Sequence, residues 1–236
     1  MQVNEIIKSI DEGLYDPHIF KAVFMAGGPG SGKSFVAKSL LKQTGLKTVN
    51  SDDVFEYKMD KLGLDKGDPD VIYSPQGQEI RNKAKQLSSN QQNIYLDGRL
   101  GLVIDGTGKN IQKIAEAKEK LVTMGYSCMM LFVNTSLDVA QERNLDRERK
   151  LQPEEVSKMW NAVQDNIMKF QQIFGSDKFI IIDNSGGLED PDRAENFQVV
   201  AKNIDKFISR PPSNRRATAW IQDQKQQKNT QDRDNQ

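Results

Sequence analysis

The stretch Met25-Ala-Gly-Gly-Pro-Gly-Ser-Gly-Lys-Ser34, MAGGPGSGKS, decides how this chain is read. Gly27 to Ser34 satisfies the pattern G-x-x-x-x-G-K-[ST], with an apolar run, KAVFMAG (21–27), before it and a helix-forming run, SFVAKSLLKQ (34–43), after it. The glycines let the backbone wrap with its N–H groups turned inward, an anion nest at a helix N-terminus. The predicted nucleotide-binding residues are therefore Gly27, Gly28, Pro29, Gly30, Ser31, Gly32, Lys33, Ser34 and Phe35. Lys33 is placed to bridge β- and γ-phosphates and Ser34 to offer its hydroxyl to Mg²⁺. A glycine-rich turn with an incidental Lys-Ser is the bland alternative, and the flanking strand and helix argue against it.

Four further apolar runs follow: KTVNS (47–51), GLVIDG (101–106), SCMMLFVN (127–134) and KFIIIDN (178–184). All but the short KTVNS lack polar/apolar alternation, as strands buried on both faces do. Helical segments separate them. One follows the glycine-rich loop and ends near Gly45; another starts at Ser74-Pro75, with Ser as N-cap and Pro at the first helical position. A third covers roughly 111–124 before Gly125, and a fourth about 136–150. A fifth opens with Pro153-Glu154-Glu155 and the last covers about 191–209. Alternating strands and helices predict an α/β fold: a five-stranded parallel sheet with helices on both faces, in three layers.

The chain has 236 residues, enough for one α/β domain with a substantial core. Residues 1–210 are expected to form that domain; 211–236, PPSNRRATAWIQDQKQQKNTQDRDNQ, has little apolar content and is expected to be disordered. Arg215, Arg216 and Trp220 offer a possible linear motif there, against a solvated tail as the plainer reading. Lys+Arg and Asp+Glu both number 33, which gives no diffuse basic surface for duplex nucleic acid. The opening MQVNEIIKSIDEGLYD does not read as a signal peptide, and no apolar run reaches bilayer length. Cys128 is the single cysteine and there is one His, which excludes a Cys/His zinc site. Cytoplasmic placement is the expectation.

Three positions carry candidate chemistry. Asp52, in Val49-Asn50-Ser51-Asp52-Asp53, falls beyond the carboxyl end of the second strand, where α/β sheets bind ligands. A carboxylate there accepts a proton from an attacking hydroxyl; alternatively Ser51 or Asp52 caps the next helix. Asp105 ends an apolar strand in the Walker B manner, organising Mg²⁺ through a water, or else caps a turn. Arg143, Arg147 and Lys150 share one helical face at i, i+4 and i+7, with Arg149 off it. This is either a lid neutralising a transferred phosphoryl group or a solvated face laced by acids.

These residues resemble a family. GGPGSGKS, the N-S-D-D after the second strand, IDGTG, and R-N-x-x-R at 143–147 look like the zeta-toxin and polynucleotide-kinase-like P-loop kinases, over roughly residues 20–175. The resemblance implies Asp52 as general base, Arg147 on the phosphates, strand order 2-3-1-4-5, and an adenine contact near Asn184 to Gly187. Polynucleotide kinases follow the acidic pair with an arginine that grips the acceptor's phosphate; this chain has Phe55 there. I-D-G-T-G is similar instead to the I-E-G-T-G of zeta-type kinases, which act on nucleotide sugars.

The leading expectation is thus a kinase moving the γ-phosphoryl of Mg-ATP onto a hydroxyl, with Lys33, Asp52, Arg143 and Arg147 catalytic and Ser34 and Asp105 on the metal. Its acceptor is a small molecule or a nucleic-acid end, of polynucleotide 5′-hydroxyl or nucleotide-sugar type. A regulatory or mechanical NTPase would need an N-K-x-D, an L-S-G-G-Q or a D-E Walker B, and the sequence has none. A nucleotide-binding module without catalysis is the third class, opposed by the intact Lys33, Ser34, Asp52 and Arg147. Arg81 and Arg99 either bind acceptor phosphate or pair with acids, while Tyr73 and Tyr95 either stack on a base or, the plainer reading, pack on the core or surface.

Overall fold

The computed structural model describes residues 13–147, 150–186 and 190–234. Its sheet is five-stranded, all parallel, in the order β2-β3-β1-β4-β5, with β1 Lys21–Ala26, β2 Lys47–Val49, β3 Leu102–Asp105, β4 Ser127–Asn134 and β5 Phe179–Asp183. The unbroken apolar runs follow from burial on both faces. Ala22, Phe24 and Ala26 of β1 and Cys128, Met130 and Phe132 of β4 point into one core cluster. Val23 and Met25 with Met129, Leu131 and Val133 point into the other. Residues of period two thus serve two cores at once.

Helices close both faces. Helices α1 (Lys33–Leu40) and α9 (Pro191–Ile208) cover one with Val36, Val200 and Ile204. Helices α5 (Ile111–Met124), α7 (Pro153–Gln164) and α8 (Ile167–Phe174) cover the other, Phe170 and Phe174 reaching deepest. Between β2 and β3, α2 (Ser51–Lys61), α3 (Pro69–Tyr73) and α4 (Pro75–Asp97) hold a satellite cluster of Phe55, Met59, Ile72, Ile80 and Ala84. Ser74 caps α4 by accepting from Gly77 N–H, and Pro75 takes its first position. Helix α6 (Leu137–Leu145) follows β4 and is capped by Ser136. Cys128 is a core thiol whose burial pushes its pKa up to about 12. No helix among the described residues is long and apolar enough to cross a membrane.

Two expectations are corrected. The segment expected to be disordered carries α10 (Arg215–Asp234). Its first turns are held by few residues: Ala217 is fully buried against Gly125, and Trp220 meets Phe20 edge-on at 5.6 Å with Arg99 above its ring. Asn214 starts the helix by accepting from Arg216 N–H, and the Arg216 guanidinium donates to the Thr123 carbonyl. One buried alanine and one tryptophan anchor a segment whose average composition hides them, and they remove Trp220 from any free linear motif. The arginine helix also ends sooner than expected. Asn144, 2% exposed, donates to the Leu151 carbonyl at 2.8 Å and accepts from Leu151 N–H at 3.1 Å. This pair pins the chain into a loop after Leu145, so exposed Lys150 does not continue the Arg143 face. Arg149 lies outside the described residues.

Candidate active site

The loop between β1 and α1 is held in its curled form from both sides. Gly30 and Gly32 take φ of 75° and 78°, the left-handed region that disfavours a side chain. Neither has room for one: a Cβ at Gly30 would strike the Ala140 carbonyl of α6, and one at Gly32 the Asn184 side-chain amide. Asn184, 1% exposed at the end of β5, donates to the Ser31 carbonyl at 2.8 Å and accepts from Arg193 Nε at 3.0 Å. The loop therefore stays wrapped through its own backbone torsions and through three elements packed around it. Gly27 N–H donates to the Thr107 carbonyl, tying the loop to the end of β3.

A cavity of about 550 Å³ opens above this loop, lined by Gly27 to Ser34, by Asp52, Asp53 and Asp105, and by Arg143 and Arg147. Register explains the acid: Asp105 pairs with Met25 on β1, one residue short of the loop. Lys33 Nζ lies 2.5 Å from Asp105 Oδ1. Arg143 approaches from α6, with its Nη2 3.5 Å from the Gly186 carbonyl and its Nη1 buried without a hydrogen-bond partner among the described residues. Burial, then the neighbouring Arg193, lowers its pKa from the usual guanidinium value, though an arginine stays charged at any physiological pH. An unpartnered, buried cationic donor facing a nest of backbone N–H groups suits an anion.

A second, smaller cavity of about 350 Å³ lies on the β2 side. Lys33, Asn50, Asp52, Asp105 and Thr107 line both cavities, so Asp52 stands at their junction. Asn50 caps α2 by accepting from Asp52 N–H at 2.9 Å. Neither Ser51 nor Asp52 does so, which leaves the Asp52 carboxylate free of the capping role. Asp53 lines only the larger cavity and accepts from Asn50 Nδ2 at 3.0 Å. Partial burial, then the carboxylates of Asp105 and Asp52, raise the Asp53 pKa above the ordinary aspartate value.

The residues present fit Mg-ATP. The cradle and the unpartnered Arg143 nitrogen match polyphosphate, and Ser34 and Asp105, which line the same cavity, carry oxygens of the kind that magnesium takes. Among the described residues no group of three or more His, Cys, Asp or Glu side chains is arranged to hold a metal.

Several expected residues lie elsewhere. The Phe35 side chain does not line the cavity; it packs against Phe197 at 5.9 Å, with the Arg193 guanidinium above its ring. Asn184, expected near adenine, is committed to the loop and to Arg193, and Gly187 lies outside the described residues. Arg81 sits over the ring of Phe55, in the satellite cluster. Arg99 donates to the Leu96 carbonyl and stacks on Trp220. Tyr95 packs on the core, as expected, and its hydroxyl accepts from Gln91.

Asn50 and Thr107, which belong to the N-S-D-D and IDGTG stretches, also line the site, whereas Lys85, Ser88, Ser89 and Gln92 of α4 carry no motif. The last four recur at i, i+3, i+4 and i+7, a polar stripe that in sequence looks like a solvated helix face.

The family model for the AAA domain matches residues 23–171, more than half of the chain. Among curated protein sequences none matches significantly. Among solved structures, the AvrRxo1-ORF1:-ORF2 complex with ATP is 13% identical with a TM-score of 0.55, covering 92% of this chain and 86% of that one. The PezAT chromosomal toxin-antitoxin system of Streptococcus pneumoniae is 15% identical with a TM-score of 0.52, covering 89% and 99%. The Pnkp1/Rnl/Hen1 RNA repair complex is 18% identical with a TM-score of 0.50, covering 65% and 47%. At these identities the likeness is one of fold. The chain belongs to the AAA domain family.

Proposed function

We propose that the protein transfers the γ-phosphoryl group of ATP to a hydroxyl acceptor, with Asp52 as general base. The observation that carries this reading is the position of Asp52, shared by the phosphate cavity and the smaller one beside it. A base at that junction reaches a hydroxyl entering from one side while the phosphates lie on the other. It takes the hydroxyl proton as the oxygen attacks phosphorus. Lys33, released from Asp105, follows the charge on the β- and γ-oxygens; Arg143 and Arg147 oppose the charge that develops on the transferred group. Ser34 and Asp105 would hold magnesium, which when bound neutralises phosphate charge.

The resemblance leaves two acceptor types open, a polynucleotide 5′-hydroxyl and a nucleotide sugar. Transfer of labelled γ-phosphate into 5′-hydroxyl oligonucleotides, UDP-sugars and small metabolites tests the reading. Label in an acceptor is the expected result; no label in any, with ATP still bound, would make the chain a binding module instead.

A further inference from the structure

The smaller cavity has a chemistry of its own, and it narrows the acceptor. Beyond the residues it shares with the phosphate site, it is walled by Lys85, Ser88, Ser89 and Gln92 on one face of α4 and by Ser51 at the start of α2. Val49 is its one apolar lining residue, and no aromatic ring is among those that line it. Ser88 is 5% exposed, and its Oγ finds no hydrogen-bond partner among the described residues. A serine inside a helix ordinarily satisfies its hydroxyl on the carbonyl one turn back. Here the hydroxyl is buried and unpaired on a residue that lines the cavity, and a turn about its Cα–Cβ bond offers it to a bound molecule. Along the stripe follow a hydroxyl at Ser89 and an amide at Gln92, each able to donate and to accept. The Lys85 ammonium forms no ion pair among the described residues.

Such walls match neighbouring hydroxyls on a small molecule. They do not match a nucleobase, which needs a ring or an arginine plane to stack on. They match a run of phosphates no better: Lys33 is paired with Asp105, Lys85 is the one further cation in the lining, and Arg81 and Arg99 are engaged with Phe55 and Trp220. At about 350 Å³ the cavity lies at the small end of ligand sites. We infer that the acceptor is a small polyhydroxylated compound carrying one negative charge, its hydroxyls held by Ser88, Ser89 and Gln92 and its anion by Lys85. This rests on the kinase reading above and specifies the site's other half. The acceptor hydroxyl loses its proton to Asp52, its oxygen bonds to the γ-phosphorus, and the bond from that phosphorus to the β–γ bridging oxygen breaks to release ADP.

The test uses the full chain with labelled ATP and magnesium against D-gluconate, D-glycerate and D-galactonate as polyhydroxy anions. Sorbitol, UDP-N-acetylglucosamine and a 5′-hydroxyl oligonucleotide complete the panel. Label is expected in at least one polyhydroxy anion. Ser88→Ala and Lys85→Ala should each raise its KM about 10-fold, roughly one lost hydrogen bond or ion pair, while the KM for ATP stays unchanged. Lys85→Arg should recover part of the loss, and thermal melting of the Ser88→Ala protein should match the parent. Label confined to the oligonucleotide or the UDP-sugar would overturn the acceptor assignment and leave the kinase reading standing. Label in none of the six would overturn the assignment and, with ATP still bound, would take the kinase reading with it. An acceptor KM indifferent to both substitutions would show that the α4 stripe is not the site.

Discussion

The two cavities meet at Asp52 but are built from different material. The donor cavity is made of backbone: a loop of glycines in left-handed torsions, clamped by Ala140 and Asn184, with arginines of α6 and the loop after it above. The smaller cavity takes the wall that is its own largely from side chains on one face of α4, beside β2. A backbone cradle admits few sequences, because most side chains break its torsions or strike its neighbours. A helix stripe admits many, since any polar set at i, i+3, i+4 and i+7 folds equally well.

Four substitutions break or sharpen this contrast. Lys33→Met should act on the donor side alone and most severely, lowering kcat by about 10³ or more through loss of phosphate charge stabilisation; a kcat within 10-fold of the parent would mean that the Lys33–Asp105 pair is only structural. Arg147→Ala should lower kcat by about 10² with little change in acceptor KM. Steady-state kinetics decide it, and an unchanged kcat would return the arginine to a solvated face.

Outside both cavities, Trp220→Ala should destabilise the fold by about 2 kcal/mol, less than a fully buried tryptophan, without altering the KM for ATP. Chemical denaturation measures this, and an unmoved midpoint would mean that α10 adds nothing to the fold. The smallest effect belongs to Asp53. Its folded pKa is raised, so the native state binds more protons than the unfolded one above the ordinary value of 3.8. Its contribution to stability therefore grows as pH falls toward that value and becomes a penalty at neutral pH. Asp53→Asn should raise the Tm slightly at pH 7 and lose the gain as pH falls toward 4; a parallel shift at both pH values would rule out the carboxylate crowding.

The same contrast explains what was legible in sequence. Gly27 to Ser34, the strands of β1 and β4, and the caps at Ser74 and Gly125 were readable because each rests on a local rule. Strand order and the roles of Asp52 and Arg147 came from resemblance; the order matches, and the roles await kinetics. Asn184 was hidden because its partner, Ser31, lies 153 residues away. The end of α6 was hidden because the Asn144–Leu151 pair, a tertiary staple, overrides a good helical pattern. Helix α10 was hidden because two anchors, Ala217 and Trp220, sit in a glutamine-rich segment.

The central claim is that a hydroxyl loses its proton to Asp52 at the junction of the two cavities. Asp52→Asn removes the base while keeping size and the helix start, which Asn50 caps. Measured as labelled γ-phosphate transfer to whichever acceptor the parent protein phosphorylates, the variant should bind ATP as the parent does and transfer about 10²-fold or more slowly. Transfer by the variant at the parent rate would contradict the account.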